Sequence, residues 1–323
     1  MVLSRVAQET YELHCHGGAA VGQWLSRTLE ALGCPRAEPL PVWHRRHSPT
    51  VERAWHDLPR TATPLSAGIL LEQARGALHR SLAQLVEILS TGETQPAQQR
   101  IEELLSTFTV GRHLLEPFRV LLAGPTNAGK SSLLNRLLGY RRAVTHTQSG
   151  TTRDILTADA VCRGFAVTLI DGAGIRTDSS DPLERAGMER VRAESDRADL
   201  TVWLVDGTTD PGGAAQLLPN WVRQRPHLAV VNKADLPVHL GWPCDWPRIS
   251  ARDGRGVDSL WDRIGELLVG DARPSGAAVV WREEQATALR KAADALGCHD
   301  IRRAAKCLEP LVTARAQLPN TSP

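Results

Sequence analysis

The chain is 323 residues long, enough for two domains, and balances 38 Lys+Arg against 36 Asp+Glu. A hydrophobic share of 42% with 23% charged residues is ordinary for a globular protein, and the net charge of +2 provides no global field directed at nucleic acid or a membrane. No apolar run nears the ~20 residues of a bilayer-spanning helix, and the amino terminus has no signal-peptide core, so a cytoplasmic protein without membrane contact is expected. The six cysteines are scattered with no C-x-x-C pair, which reads as reduced thiols.

In chain order, residues 10–14 read as a short strand and 19–32 as a helix with Val21, Leu25, Leu29 and Leu32 on one face. Prolines at 35, 39, 41, 49, 59 and 64 leave little room for regular structure, so 34–64 reads as loop or linker. From 66 to 116 apolar residues recur at helical spacing: Ile69, Leu70, Ala74, Leu78, Leu82, Leu85 and Leu89, then Ile101, Leu104, Leu105 and Leu115 after the Thr91-Gly92 turn. Two amphipathic helices ending at Pro117 predict part of a helical bundle, and 281–316 reads as helix again.

Between these helical parts, short β-branched-rich runs at 119–123, 166–170, 200–205 and 227–231 alternate with helical stretches. That alternation predicts an α/β fold, a mostly parallel sheet with helices on both faces. The expected organisation is therefore a small α+β domain with a Pro-rich linker over 1–64 and a first helical part over 65–117. An inserted α/β domain over 118–270 follows, then a second helical part and tail over 271–323. The nine tryptophans lack interleaved basic residues, so packing or a partner interface is expected of them rather than base stacking.

The chemistry concentrates in the α/β segment. Residues 124–131 read Gly-Pro-Thr-Asn-Ala-Gly-Lys-Ser, the G-x-x-x-x-G-K-[ST] loop whose backbone N–H groups cradle phosphates. Gly124, Asn127, Ala128, Gly129, Lys130, Ser131 and Ser132 are its candidate phosphate-binding residues, with Lys130 bridging the β- and γ-phosphates and Ser131 ligating Mg²⁺. Asp171-Gly-Ala-Gly174 follows the second run. Asp171 is placed to hold Mg²⁺ through water, and the Gly174 N–H to reach the γ-phosphate. Asn232-Lys233-Ala-Asp235 ends the fourth run, and the Asp235 carboxylate can accept from both N1–H and N2–H₂ of guanine. Adenine offers neither, so it would leave that carboxylate unpaired. Lys233 would lie along the base, and Ser250-Ala251-Arg252 would close the pocket. In 150–154, Gly-Thr-Thr-Arg-Asp, a threonine can ligate Mg²⁺ only while the γ-phosphate is present. Only four lysines stand against thirty-four arginines, and two of them, Lys130 and Lys233, fall inside these motifs. Residue 175 is Ile, which cannot orient a water, leaving Glu184 or Arg176 for that task.

The strings Asn-Ala-Gly-Lys-Ser-Ser-Leu-Leu-Asn (127–135), Ser-Gly-Thr-Thr-Arg-Asp (149–154), Asp-Gly-Ala-Gly-Ile-Arg (171–176), Glu-Arg-Ala-Gly (184–187), Asn-Lys-Ala-Asp (232–235) and Ser-Ala-Arg-Asp-Gly-Arg-Gly-Val (250–257) resemble the MnmE/TrmE family of tRNA wobble-uridine modification GTPases. Glu-Leu-His-Cys-His-Gly-Gly (12–18) is similar to the strand-to-helix piece of that family's amino-terminal domain, and the helical parts to its central domain. The resemblance implies a K⁺ site formed by Asn127, the carbonyls of His146 and Gln148, and Thr151. It also implies Thr152 on Mg²⁺, Glu184 on the attacking water, GTP-dependent pairing of two GTPase domains, and a flavoprotein partner of the MnmG type acting with tRNA.

Relative to that family the sequence begins just ahead of the His-Gly-Gly piece, has Pro39-Leu-Pro-Val-Trp43 in place of Pro-Gly-Glu-Phe, and has no Cys-x-Gly-Lys ending. A folate site and a terminal cysteine are therefore not carried over. The leading expectation is a K⁺-stimulated, Mg²⁺-dependent GTPase converting GTP to GDP in tRNA modification. The alternatives are a GTPase switch in ribosome or RNA biology, and a low-turnover GTP-binding scaffold suggested by Gly172 and by one extra residue before Glu184.

Overall fold

The computed structural model describes residues 2–7, 10–14, 19–34, 48–141, 157–172, 182–212, 218–270 and 277–313. The chain divides into two compact units. One comprises Met1–Pro59, Leu70–Ser106 and Gly276–Pro323, the other Arg60–Ile69 and Thr107–Ser275.

In the first unit, strands β1 (Val2–Ala7) and β2 (Thr10–His14) form an antiparallel hairpin, followed by the helix Ala19–Ala31. The segment expected to be linker contains a helix, Pro49–Asp57. The helix has a local cause. Pro49 occupies the first turn, where its missing N–H would have no partner anyway, and Ser48 Oγ accepts from the Val51 N–H at 3.4 Å. That proline starts a helix instead of preventing one.

Helix Ala77–Thr91 buries Leu78, Leu82, Leu85 and Leu89, the residues its periodicity singles out, and stops at Gly92, φ 85°. Helices Glu283–Gly297 and Ile301–Val312 bury Leu289 and Leu308. One polar knot ties this unit. Asp57 is fully buried; Arg282 grips both its oxygens, and Trp281 Nε1 donates to it at 3.0 Å. Burial pushes the Asp57 carboxyl up, but hydrogen bonds from Arg282, Trp281 and His56 outweigh it and hold the group below its ordinary value.

The second unit is built on a five-stranded sheet, β3 (Phe118–Ala123), β4 (Thr157–Cys162), β5 (Phe165–Asp171), β6 (Leu200–Asp206) and β7 (His227–Asn232), in the order β4-β5-β3-β6-β7. The four apolar runs are β3, β5, β6 and β7, and their pairings are all parallel. Such strands are buried on both faces, which is why they read as runs. β4 pairs antiparallel with β5 at the sheet edge. Its sequence, Thr-Ala-Asp-Ala-Val-Cys, alternates exposed and buried positions and so gives no apolar run.

One face of the sheet carries a core of Leu121, Ala123, Ile170, Trp203, Val205 and Val231, joined by Val191 of the helix Pro182–Arg197. Trp203, Trp242 and Trp261 are all buried in this unit, so for them packing explains the aromatic content. Because β5, β3, β6 and β7 run the same way, their carboxyl ends share one edge, where an open α/β sheet presents its ligand crevice.

Candidate functional site

The end of β3 leads into the loop 124–129 and then the helix Lys130–Arg141. Gly129 has φ 93°, and a Cβ there would lie 2.2 Å from Asn232 Nδ2, so only glycine allows the loop to reach β7 this closely. Lys130 is 7% exposed, and its Nζ donates to the carbonyls of Gly124 (3.1 Å) and Pro125 (2.8 Å). Burial lowers the affinity of this amine for its proton, and the charge of Asp171 partly offsets that.

Ser131 Oγ donates to Asp171 Oδ2 at 2.6 Å, joining the helix start to the end of β5. The other oxygen, Asp171 Oδ1, is buried and has no hydrogen-bond partner among the described residues. A hydroxyl beside a carboxylate with one oxygen unmatched is a donor set that fits a hard divalent cation. Next to it, the Gly172 N–H donates to Leu122 O at 2.8 Å, and a Cβ on Gly172 would sit 2.7 Å from that oxygen. Close packing on β3 therefore accounts for glycine at 172.

At the end of β7 the second half of the site assembles. Asn232 is 2% exposed; its Nδ2 donates to Ala128 O in the phosphate loop (2.7 Å), and its Oδ1 accepts from the Ala251 N–H (2.9 Å). One side chain thus spans the phosphate loop and the segment 250–252. Lys233 turns in the left-handed region (φ 66°), and its Nζ donates to Asp206 Oδ2 at 2.6 Å. Ser250 Oγ donates to Asp235 Oδ1 at 2.8 Å, which sets the plane of that carboxylate. Chemically, the edge offers an ammonium and a helix amino terminus to a phosphate chain, and a fixed carboxylate to a base.

Two residues here escaped the sequence reading. Asp206 ends β6 and anchors Lys233. Burial raises its carboxyl, but hydrogen bonds from Lys233 and Thr208 win and hold it low. A carboxylate closing an apolar strand, one strand away from Asn232-Lys233, was the available signal. The other is Arg136, whose guanidinium reaches the carbonyls of Ala251 (3.1 Å) and Arg252. Ser132 is exposed on the helix Lys130–Arg141, and Asn127 is exposed at the tip of the phosphate loop. His146, Gln148, Thr151, Thr152, Gly174 and Arg176 lie outside the described residues, as does the side chain of Glu184, whose backbone belongs to the helix Pro182–Arg197.

A family model described as a 50S ribosome-binding GTPase matches residues 119–233, which run from β3 to Lys233. Curated relatives named tRNA modification GTPase MnmE match most of the chain. The protein of Syntrophotalea carbinolica is 30% identical over 91% of this chain and 72% of its own length. That of Methylobacterium sp. (strain 4-46) is 34% identical over 90% and 72%. That of Akkermansia muciniphila is 32% identical over 81% and 64%. The chain is thus a P-loop enzyme that hydrolyses GTP. These matches, at 30–34% identity, extend over about nine-tenths of the chain and so beyond the unit that holds the sheet, and the chain belongs to the MnmE family of tRNA modification GTPases.

Proposed function

We propose that this GTPase binds GTP with Mg²⁺ at the sheet edge, hydrolyses it with assistance from K⁺, and works in the modification of the tRNA wobble uridine. The observation that carries the reading is the Asn232 bridge, which joins a phosphate loop to a base-reading segment within one hydrogen-bonded frame. In this reading Lys130 and the N–H groups of 124–132 hold the phosphates, and Asp235, set by Ser250, accepts from guanine N1–H and N2–H₂. Ser131, Asp171 and Thr152 would hold Mg²⁺, whose charge would serve the β- and γ-phosphate oxygens. Gly174 would sense the γ-phosphate, and Glu184 would orient the attacking water.

Asn127 supports the potassium part. It is exposed at φ 62°, and its side chain makes no hydrogen bond among the described residues, so its amide oxygen is available to a cation. His146 and Gln148 through their carbonyls, with Thr151, would complete the set. Such an ion supplies positive charge where other GTPases use an arginine. The proposal places the GTPase domain at 118–270, inserted between helical parts 65–117 and 271–323. It extends to GTP-dependent pairing of two copies, a flavoprotein partner and tRNA, the substrate class in the names of the relatives. A second reading, a switch in ribosome biology, draws on the description of the family model. Capture of ribosomal particles rather than a flavoenzyme would favour it.

The test is steady-state GTP hydrolysis in KCl against NaCl at equal ionic strength, with Asn127→Ala alongside. A potassium-specific rate that the variant loses is expected. Equal slow rates in both salts would remove the potassium part.

A further inference from the structure

We propose that Arg136 is a positioning residue for base recognition, fixing the direction in which the Arg252 backbone N–H points so that it meets the 6-oxo group of the purine. The inference rests on the guanine-nucleotide reading of the site and names a group that no sequence motif contains. Arg136 lies in the second turn of the helix Lys130–Arg141 and is half-buried. Its Nε donates to Ala251 O at 3.1 Å and an Nη to Arg252 O, so one planar fork holds two successive carbonyls. Ala251 is also held at its other end, its N–H donating to Asn232 Oδ1 at 2.9 Å.

Three successive peptides are thus each held by one bond, and the middle one, Ala251–Arg252, is held by its own carbonyl and by its two tethered neighbours. In a planar trans peptide the N–H points opposite to the carbonyl. With the Ala251 carbonyl drawn towards Arg136, the Arg252 N–H therefore faces away from the helix, and it donates to nothing among the described residues. The backbone that carries it stands beside Asp235, because Ser250 Oγ donates to Asp235 Oδ1 at 2.8 Å and accepts from the Asp253 N–H at 3.2 Å. Asp235 is the acceptor for N1–H and N2–H₂, and the next group along that edge of guanine is O6. A free donor at that place reads a 6-oxo purine and refuses a 6-amino one.

The probe pair is GDP and 6-thio-GDP, which keeps N1–H and N2–H₂ but replaces O6 with sulfur, a poor acceptor. Binding of each to the full chain is measured by calorimetry for wild type, Arg136→Gln and Arg136→Lys. Wild type should prefer GDP. Arg136→Gln should bind GDP about tenfold more weakly, 6-thio-GDP almost as before, and so lose the preference. Arg136→Lys, retaining one donor, should recover part of it. If Arg136→Gln weakens both ligands equally, or neither, the residue only supports the loop and the proposal is overturned. A wild-type chain that binds no GDP would overturn the site reading itself, a result distinct from an unchanged ratio.

Discussion

Replacing Asn232 by alanine should separate the two halves of the site, and the structure sets the scale of the loss. The side chain is 2% exposed and makes one bond to each half, to Ala128 O at 2.7 Å and from Ala251 N at 2.9 Å. Ala128 and Ala251 are themselves buried, so water cannot freely replace the lost partner. A net hydrogen bond contributes about 1 kcal/mol, and a buried group left unsatisfied costs ~1–3 kcal/mol. Two such losses make roughly 3 kcal/mol a reasonable total, equivalent to a Tm drop of about 6–12 °C for a unit of this size. Tryptophan fluorescence, with Trp203 in the core of the sheet, reports the melt. GDP titration reports the site, where about a hundredfold loss is expected if most of the cost falls on binding.

Asn232→Asp sharpens the test. It keeps the acceptor for the Ala251 N–H but sets a carboxylate oxygen against Ala128 O. The isosteric change should therefore be at least as damaging as alanine at neutral pH, and milder on acidification, when a protonated carboxyl can donate again. An alanine variant that melts with wild type and binds GDP normally would refute the bridging role. So would an aspartate variant that is the milder of the two.

Two ion pairs yield the further outcomes. Asp57→Ala strands the Arg282 guanidinium and the Trp281 N–H, and should destabilise the first unit by about 3 kcal/mol in denaturant melts. Because the folded Asp57 value lies below the ordinary 3.8, its stabilisation is complete above that pH and is lost as pH falls towards the folded value. Asp57→Asn should therefore flatten the acid limb of a stability profile, and an unchanged limb would exclude the pair as its source. Asp206→Asn removes the partner of Lys233, whose side chain is 31% exposed, so solvent limits the effect to about fivefold in GDP affinity with little change in Tm. An effect confined to Tm would mean that the pair serves folding alone.

Much of this was legible in the sequence because it depends on local rules. Burial on both faces makes β3, β5, β6 and β7 into apolar runs, and a loop that must admit phosphates needs glycine at 129 and a basic residue after it. What was hidden follows different physics. β4 has one face in solvent, so Thr157 and Asp159 on that face interrupt what would otherwise read as an apolar run. Pro49 reads as a breaker until its place in a first turn is known. Arg136 and Asp206 act through backbone carbonyls and a side chain far away in sequence, and no spacing rule connects position 136 with 251. Only the fold brings them together.

The scarcity of lysine, combined with where the lysines lie, makes the chain a natural reporter under a lysine-specific protease. Only four bonds are candidates for cleavage. Lys130 begins the helix behind the phosphate loop, and Lys233 is clamped to Asp206, so cutting there demands that the nucleotide site open. Lys291 and Lys306 lie on the helices Glu283–Gly297 and Ile301–Val312, so cutting there reports on the other unit. Fragment masses alone would then distinguish loosening of the sheet edge from loosening of the helices, and slower release of the 130 and 233 fragments would register occupancy without any label.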